Sequence, residues 1–406
     1  MNKTNVLLLK KYLKNCINKC KFEILNKRHK INISTNLEPI NESNNNDLNF
    51  IKISNHDPTN SSRLISGSED RTIKIWDLES GECVKTLNGH NDSIICLKLL
   101  SFNRLASCST DNTIKIWNLT TGDCILTINN PFNSNVCLKL IPNTHKMLSG
   151  CINGDIKIWD LNTGQCVQTL NGHKNEITCL KLLPVLDVLI SGSDDSTIKI
   201  WDLNKNSCVK TLEGHRLSVL CLKLLPNSRL ASGSKDDTIK IWNLNVDNFE
   251  LEETLIGHTD SIISFKLESK FLISQSSDNT IKIWNLINYQ CIKTIYGHNS
   301  FFINCIELLP NKNKLISGSF DDKIRIWNLD SCQLVKELKG HTNSIGCIQL
   351  VSNKRLASGS GDGMIKLWDL DTGQCEFTLE GHVGHVNCLK LVKNDQFGFN
   401  CYDYNK

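Results

Sequence analysis

The chain has 406 residues, a length that could hold two or three ordinary domains or one large one. Lysine and arginine total 46 against 42 aspartates and glutamates, so the formal net charge of +4 argues against a strongly basic nucleic-acid-binding protein and against an acidic one. The 19 cysteines are odd in number and form no Cys-x-x-Cys pair, and no secretory signal precedes them. This pattern predicts reduced thiols in an intracellular, cytoplasmic protein, with the nucleus as the alternative location.

Residues 1–47 form a leader that differs from the rest of the chain. Apolar side chains recur at three- and four-residue steps from Val6 to Ile24, which predicts an amphipathic helix. Its most apolar run, residues 6–9, is too short for a signal peptide or a membrane span, and residues 41–47 are a polar linker. We expect a helix with a solvated face that docks against the rest of the chain or is left loose, a helix that self-associates or binds a partner through residues 1–30, a membrane-surface arm or a targeting peptide.

Beyond the leader, one unit is written eight times. Each copy contains a Trp followed by Asp or Asn, and successive tryptophans are 41 to 43 residues apart. The eight tryptophans of the chain all belong to this series: Trp76, Trp117, Trp159, Trp201, Trp242, Trp284, Trp327 and Trp368. In the fourth copy, β-prone runs at 177–183, 187–191, 197–203 and 208–212 alternate with turn-forming residues. Each copy is therefore predicted to be a four-stranded antiparallel sheet.

A single sheet of this kind cannot bury both of its apolar faces, whereas sheets stacked around an axis bury them against their neighbours. A period of this length with Gly-His and Trp-Asp pairs is typical of β-propeller blades. Over about residues 49 to 392 the chain resembles the WD-repeat, or β-transducin-like, family. We predict an all-β fold, an eight-bladed β-propeller of four-stranded blades at residues 48–392. We also predict a short helical extension in the leader 1–47 and a tail at residues 393–406.

Three further positions recur at set distances before each Trp. A Ser stands ten residues before it in all eight copies, an Asp six before it in seven, and the His of a Gly-His pair 26 to 29 before it in six. In the family that this chain resembles, these four residues form a buried hydrogen-bonded chain, so the resemblance implies a structural clamp in each blade. The clamp residues are Ser66, Asp70 and Trp76 in copy one; His90, Ser107, Asp111 and Trp117 in copy two; Ser149 and Trp159 in copy three; His173, Ser191, Asp195 and Trp201 in copy four; His215, Ser232, Asp236 and Trp242 in copy five; His258, Ser274, Asp278 and Trp284 in copy six; His298, Ser317, Asp321 and Trp327 in copy seven; and His341, Ser358, Asp362 and Trp368 in copy eight.

Ser, His and Asp are also the residues of a hydrolase triad. An active site requires an exposed nucleophile and has no reason to recur six times, so we interpret the repeated set as structural. The glycine-rich run 359–363 lies between two strands and opens no helix, which argues against a phosphate-binding loop. Cys16 and Cys20 have no cluster of His or Cys partners nearby. We predict a non-enzymatic protein without catalytic residues, metal or cofactor.

The two ends of the repeat region are incomplete in complementary ways. Copy one has no His, and His382 precedes a strand-like run that no further Trp follows. We favour closure of the ring by donation of the C-terminal strand 386–391 to blade one. The alternative keeps residues 50–53 as the first strand of blade one and leaves 382–403 as an appendage.

The third copy departs most from the pattern. Residues 129–132 stand in place of its Gly-His pair, and Asn153 stands in place of its Asp. We predict that its clamp is incomplete and that this blade is the least stable or the most adapted to a partner.

A closed propeller presents loops without disturbing its core, and proteins similar to this one serve as platforms for peptides and other domains. We therefore predict an interaction scaffold that binds protein or peptide partners, with two alternatives left open. One is the substrate-recognition subunit of a ubiquitin ligase, although the leader has no F-box pattern. The other is an RNA-binding propeller, which is less favoured because few aromatic and basic residues alternate.

The expected binding surface is the face that carries the loops before the first strands and the turns between second and third strands. The residue before the clamp Asp varies from copy to copy, and in copy seven it is Phe320. The loop 298–302 of that copy is one residue longer than its equivalents, so we predict that Phe302 enters the core and that Phe301 is displaced outward beside Phe320. Arg216, Leu217 and Lys235 of copy five are predicted to form a second, basic contact. Neutral drift of a solvated turn is the alternative explanation.

Overall fold

The structure is a computed structural model that describes residues 62–101, 103–130, 133–183, 187–245, 249–298, 301–310 and 312–392. The leader with its predicted helix, the alternative first strand at 50–53 and the tail 393–406 lie outside these residues. The predicted domain limits at 47/48 and 392/393 therefore stay predictions.

The described residues form 32 strands in eight antiparallel sheets of four. We number the blades by their tryptophans and their strands from the innermost outward. The strands are, in blade one, β32 (Val386–Val392), β1 (Arg63–Ser68), β2 (Ile73–Asp77) and β3 (Cys83–Leu87); in blade two, β4 (Ile94–Leu100), β5 (Arg104–Ser109), β6 (Thr113–Asn118) and β7 (Cys124–Asn129); in blade three, β8 (Asn133–Ile141), β9 (Lys146–Cys151), β10 (Ile156–Asp160) and β11 (Cys166–Leu170); in blade four, β12 (Ile177–Leu183), β13 (Val188–Ser193), β14 (Ile198–Asp202) and β15 (Ser207–Leu212); in blade five, β16 (Val219–Leu225), β17 (Arg229–Ser234), β18 (Ile239–Asn243) and β19 (Glu250–Leu255); in blade six, β20 (Ile262–Glu268), β21 (Phe271–Ser276), β22 (Thr280–Asn285) and β23 (Cys291–Tyr296); in blade seven, β24 (Ile303–Leu309), β25 (Lys314–Ser319), β26 (Ile324–Asn328) and β27 (Leu334–Leu338); and in blade eight, β28 (Ile345–Leu350), β29 (Arg355–Ser360), β30 (Ile365–Asp369) and β31 (Cys375–Leu379).

The first strands of neighbouring blades contact one another all the way round. The contacts run β4, β8, β12, β16, β20, β24, β28 and β32, and β32 contacts β4 again. Each first strand is the terminal strand of its sheet, so its unpaired edge faces the axis of the ring. The predicted eight-bladed propeller is confirmed.

The ring closes with strands from the two ends of the repeat region. Strand β32 pairs antiparallel with β1 from Arg63 opposite Val392 to Ser68 opposite Val386. The seam between blades eight and one is apolar, since Trp76 and Leu64 pack with Leu367 and Leu379. Strand donation is confirmed, and the arrangement that leaves residues 382–392 as an appendage is wrong.

The core of the propeller lies in the seams between blades. In blade four, all six residues of β13 are buried, and Leu189 and Trp201 of that blade pack against Leu148 and Ile158 of blade three. Because both faces of each sheet are covered in this way, consecutive residues of the second strands are buried, rather than every other residue.

The Gly of the Gly-His pair is required by a close approach to the Trp. Gly214 has φ +156°, which favours glycine, and a Cβ there would lie 3.1 Å from Cη2 of Trp242. A larger residue would have to displace the indole ring. This close approach of Gly214 to the indole lets the next residue, His215, reach Ser232 on the second strand.

Candidate functional site

The predicted clamp is formed in blade four by three consecutive hydrogen bonds. Trp201 Nε1 donates to Ser191 Oγ at 2.8 Å, Ser191 Oγ lies 2.7 Å from His173 Nε2, and His173 Nδ1 lies 2.8 Å from Asp195 Oδ2. The same three contacts, 2.7 to 3.0 Å long, occur in seven of the eight described blades. They tie the second and third strands to the loop that leads into the first strand, which we call the lead-in loop.

The environment of Asp195 keeps it charged and its His neutral. Burial by itself would raise the pKa of Asp195, but hydrogen bonds from Thr197, from the backbone N–H of Lys174 and from His173 lower it to about 2. Burial lowers the pKa of His173 despite the neighbouring carboxylate. Neutral His173 thus donates from Nδ1 to Asp195 and accepts at Nε2 from Ser191.

These geometries argue against catalysis by the Ser–His–Asp sets. Ser191 is fully buried, and its Oγ already accepts from the indole and donates to the imidazole. A substrate carbonyl has no path to an oxygen enclosed in this way. The structural interpretation of the clamp is the one that the contacts support.

Sequence reasoning missed a fifth clamp member. Thr197 Oγ1 donates to Asp195 Oδ1 at 2.6 Å and lies 3.2 Å from His173 Nδ1. A Thr stands four residues before the Trp in five copies, and this recurrence is a signal that could have identified it. The five are Thr72, Thr113, Thr197, Thr238 and Thr280.

Blade one is completed by a histidine from the other end of the chain. His382 Nε2 lies 2.7 Å from Ser66 Oγ, and His382 Nδ1 lies 2.7 Å from Asp70 Oδ2. Copy one, which has no His in its own repeat, and His382, which no further Trp follows, therefore form one clamp.

Blade three keeps part of its clamp through an asparagine. Trp159 Nε1 donates to Ser149 Oγ at 2.8 Å, and the fully buried Asn130 donates from Nδ2 to the same oxygen at 3.3 Å. Asn130 stands 29 residues before Trp159, within the range of the clamp histidines, and this spacing was the available signal. Asn153 is exposed and bonds Asp155 at 2.7 Å instead of the clamp.

Blade seven carries a charged variant of the clamp. Buried Arg325 contacts His298, lies 2.5 Å from Asp321 Oδ2 and lies 2.7 Å from Glu337 Oε2. In blade four the equivalent positions are Lys199 and Thr211, whose side chains are 2.8 Å apart. Burial alone would raise the pKa of Asp321, but His298 and Arg325 hold it well below its usual range. The Arg and the Glu replace the Lys and the Thr together, so an ion pair stands where blade four has a lysine bonded to a hydroxyl.

On the loop face of blade seven, three aromatic side chains are exposed. Phe301, Phe302 and Phe320 are 52%, 44% and 53% exposed, and we call them the aromatic cluster. The rings of Phe302 and Phe320 meet edge to face with centroids 6.3 Å apart. The prediction that Phe302 is a core residue is wrong, because β24 begins one residue later, at the buried Ile303. Phe301 N–H donates to the His298 carbonyl at 2.7 Å.

The backbone fixes this aromatic pair in place. The carbonyl of Phe302 accepts from Phe320 N–H at 2.9 Å and from Ser319 Oγ at 2.7 Å. In six other blades the same backbone bond joins pairs with at least one polar side chain. Those pairs are Ser93 with Thr110, Glu176 with Asp194, Ser218 with Lys235, Ser261 with Ser277, Ser344 with Gly361, and His385 with Glu69.

The residues of the predicted contact on blade five are brought together by the same backbone bond between the lead-in loop and the turn. Lys235 N–H donates to Ser218 O at 2.9 Å, and Arg216 N–H donates to Asp236 Oδ2 at 2.9 Å. The side chains of Arg216, Leu217 and Lys235 are exposed on the loop face. Blade six separates them from the aromatic cluster.

A family model supports the assignment that this geometry suggests. The model described as WD domain, G-beta repeat matches eight segments, at residues 43–77, 81–118, 122–160, 164–202, 206–243, 249–285, 289–328 and 332–369. The chain belongs to the WD-repeat family. Each matched segment from the second onward contains the outermost strand of one blade and three strands of the next, so the WD repeats interlock around the ring.

Several relatives are similar over short segments. WD repeat-containing protein pop1 of Schizosaccharomyces pombe is 45% identical over 40 residues, which are 10% of this chain and 5% of that protein. Cell division control protein 4 of Saccharomyces cerevisiae is 41% identical over 39 residues, 10% of this chain and 5% of that protein. Myosin heavy chain kinase C of Dictyostelium discoideum is 41% identical over 64 residues, 16% and 7% of the two chains. The chain thus matches 5–7% of the length of these relatives.

A solved structure agrees with the fold. The crystal structure of the computationally designed Ika8 protein superposes with a TM-score of 0.66 at 27% identity, covering 77% of this chain and 96% of that one.

Within the described ranges, no group of three or more His, Cys, Asp or Glu is placed to hold a metal ion. Nor does that part of the chain contain a helix with the length and apolar character needed to cross a membrane.

Proposed function

We propose that this WD-repeat protein is a non-enzymatic scaffold that binds a protein or peptide on its loop face, with the aromatic cluster of blade seven as the anchor. The observation that carries the proposal is the pairing of Phe302 with Phe320 at a position where six other blades place at least one polar side chain. Exposed aromatic side chains held side by side are typical of the few residues that dominate binding energy at an interface.

The rigidity of the cluster supports this function. Two hydrogen bonds to the Phe302 carbonyl hold the lead-in loop against the turn that bears Phe320, so the backbone that carries the pair has little conformational entropy to lose on binding. Arg216 and Lys235 of blade five add positive charge on the same face. A partner with an apolar side chain for blade seven and a carboxylate for blade five fits both features. The compartment proposed is intracellular, where the 16 described thiols stay reduced.

Exchange of the aromatic pair for the pair of a neighbouring repeat tests the proposal. The double variant Phe302→Ser, Phe320→Thr installs the side chains that blade two carries at the same positions, Ser93 and Thr110. The matched control, Ser93→Ala with Thr110→Ala, alters the same positions of blade two. We expect affinity purification with quantitative mass spectrometry to recover partners with the wild type and the control. Recovery with the aromatic variant should fall at least tenfold, the ratio that corresponds to about 1.4 kcal/mol.

The melting temperature of the aromatic variant should match that of the control, since exposed side chains contribute little to stability. Recovery of an unchanged set of partners with a folded aromatic variant would place the anchor elsewhere. Ligase subunits bound through residues 1–47 would favour the ubiquitin-ligase alternative, and capture that is abolished by ribonuclease would favour RNA binding.

A further inference from the structure

One position of each first strand carries a charged or amide side chain at the same level of the ring. In every blade this residue pairs with the residue that precedes the clamp Ser, as Lys181 pairs with Ile190 and Lys98 with Ala106. In blade order these residues are Lys390, Lys98, Lys139, Lys181, Lys223, Lys266, Glu307 and Gln349. We call them the lysine ring.

The ring concentrates positive charge that the net charge of the chain does not reveal. Six lysines and one glutamate give it a formal charge of +5, and Glu268 is the one further carboxylate in the eight first strands. Lys266 Nζ reaches across the seam between blades six and seven to Glu307 Oε2 at 2.9 Å. The other five lysines lie in five consecutive blades, one to five.

These lysines influence one another around the ring, over distances of one and two blades. All of them are half-buried. Burial lowers the pKa of Lys181, and the charges of Lys139, Lys223 and Lys98 lower it further, to about 7. Burial lowers the pKa of Lys139 too, and Lys390, two blades away, adds to this effect. Like charges gathered in a poorly solvated ring oppose folding, and Gln349 shows that an uncharged side chain fits the same position.

We propose that the lysine ring is a binding site, in the central channel, for a compact and multiply phosphorylated small molecule. Lysine ammonium groups bind phosphate as point charges, and a ligand with several phosphates around a small centre could engage several blades at once. The ring lies within the first strands rather than on the loops, so it is reached by a small molecule more readily than by a folded partner. It is distinct from the aromatic cluster and independent of the proposed scaffold function.

Isothermal titration calorimetry on the full chain tests the site, with inositol hexakisphosphate and inorganic tripolyphosphate as probes. The variant Lys139→Gln, Lys181→Gln carries the amide already present at Gln349. Its matched control, Lys146→Gln with Lys210→Gln, removes two exposed lysines from the same two blades. We expect the wild type and the control to bind alike and the ring variant to bind roughly a hundredfold more weakly, about tenfold for each charge-assisted hydrogen bond lost. The variant Glu307→Gln raises the formal charge of the ring by one and should bind more tightly than the wild type.

Melting temperatures without ligand separate loss of binding from loss of fold, because removal of crowded like charges should leave the ring variant as stable as the wild type or more so. Co-flotation with vesicles that carry phosphatidylinositol 4,5-bisphosphate, dependent on the same lysines, would assign the phosphates to a lipid headgroup; binding in solution without co-flotation would assign a free ligand. Equal affinity of the ring variant and the control for both probes would overturn the proposal. So would equal or stronger binding of a poly-glutamate peptide, since it would point to an acidic protein segment.

Discussion

Trp201 combines apolar burial and a hydrogen bond at one residue. Its ring is 1% exposed in the seam with blade three, and its Nε1 anchors Ser191 and, through it, His173. Trp201→Ala should therefore lower the free energy of unfolding by about 3–5 kcal/mol. Asn153→Ala removes an exposed side chain outside any clamp and should change it by less than about 0.5 kcal/mol.

Urea unfolding of the two variants measures both values. Comparable losses would contradict the assignment of Trp201 to a clamp and of Asn153 to the surface.

The clamps also predict how stability depends on pH. The pKa of His173 is lower in the folded protein than its ordinary 6.5, so the unfolded chain binds more protons and stability falls as pH drops through 6.5. The pKa of Asp195 is about 2 when folded against 3.8 when unfolded, so its contribution is present above pH 3.8 and is lost between pH 3.8 and 2. The free energy of unfolding, measured in urea at pH 7.5 and 5.5, should be lower at pH 5.5.

His173→Asn supplies the control, because it installs the side chain that Asn130 provides in blade three. This variant should be less stable at pH 7.5 and should lose less on acidification than the wild type. An unchanged pH dependence would show that His173 does not titrate on unfolding.

At the scale of one element, β32 decides whether the ring is closed. It is the first strand of blade one, and the loop before it supplies His382 to the clamp of Ser66 and Asp70. Deletion of residues 382–406 should leave β1 and the seam with blade two uncovered, so we expect loss of cooperative thermal unfolding and aggregation. Deletion of residues 393–406 is the matched control, since β32 ends at Val392.

Scanning calorimetry with light scattering distinguishes the two truncations. A protein without residues 382–406 that melts like the control would contradict the role of β32 in closure.

At the scale of the whole molecule, all 32 strands and the clamps lie within the described part of the chain. The described strands begin at Arg63, and the eight clamps use residues from Ser66 onward. Removal of residues 1–47 should therefore leave the melting temperature within a degree or two. If residues 1–30 drive self-association, sedimentation velocity will record a smaller species after the deletion. An unchanged sedimenting mass would reject self-association and leave docking, membrane-surface binding or targeting for the leader.

The sequence by itself determined the repeat, its strand order and most clamp positions. Those features are local, because each copy must alternate strands with turns and must supply the same Trp, Ser and Asp to bury one sheet against the next. The predicted strands of the fourth copy coincide closely with β12 to β15 for this reason. His382 could be proposed for blade one because copy one has a Ser, an Asp and a Trp but no His, whereas the last, incomplete copy has a His but no Trp.

Only the tertiary structure decided features that depend on register or on contacts between distant segments. The start of β24 at Ile303 leaves Phe302 exposed, and a shift of one residue moves a side chain from one face of a strand to the other. Asn130 acts in the clamp because packing, and not the Gly-His motif, brings its amide to Ser149. The lysines of the first strands look ordinary in each repeat; they become a ring of charge because eight blades in the same register place them at one level around a common axis.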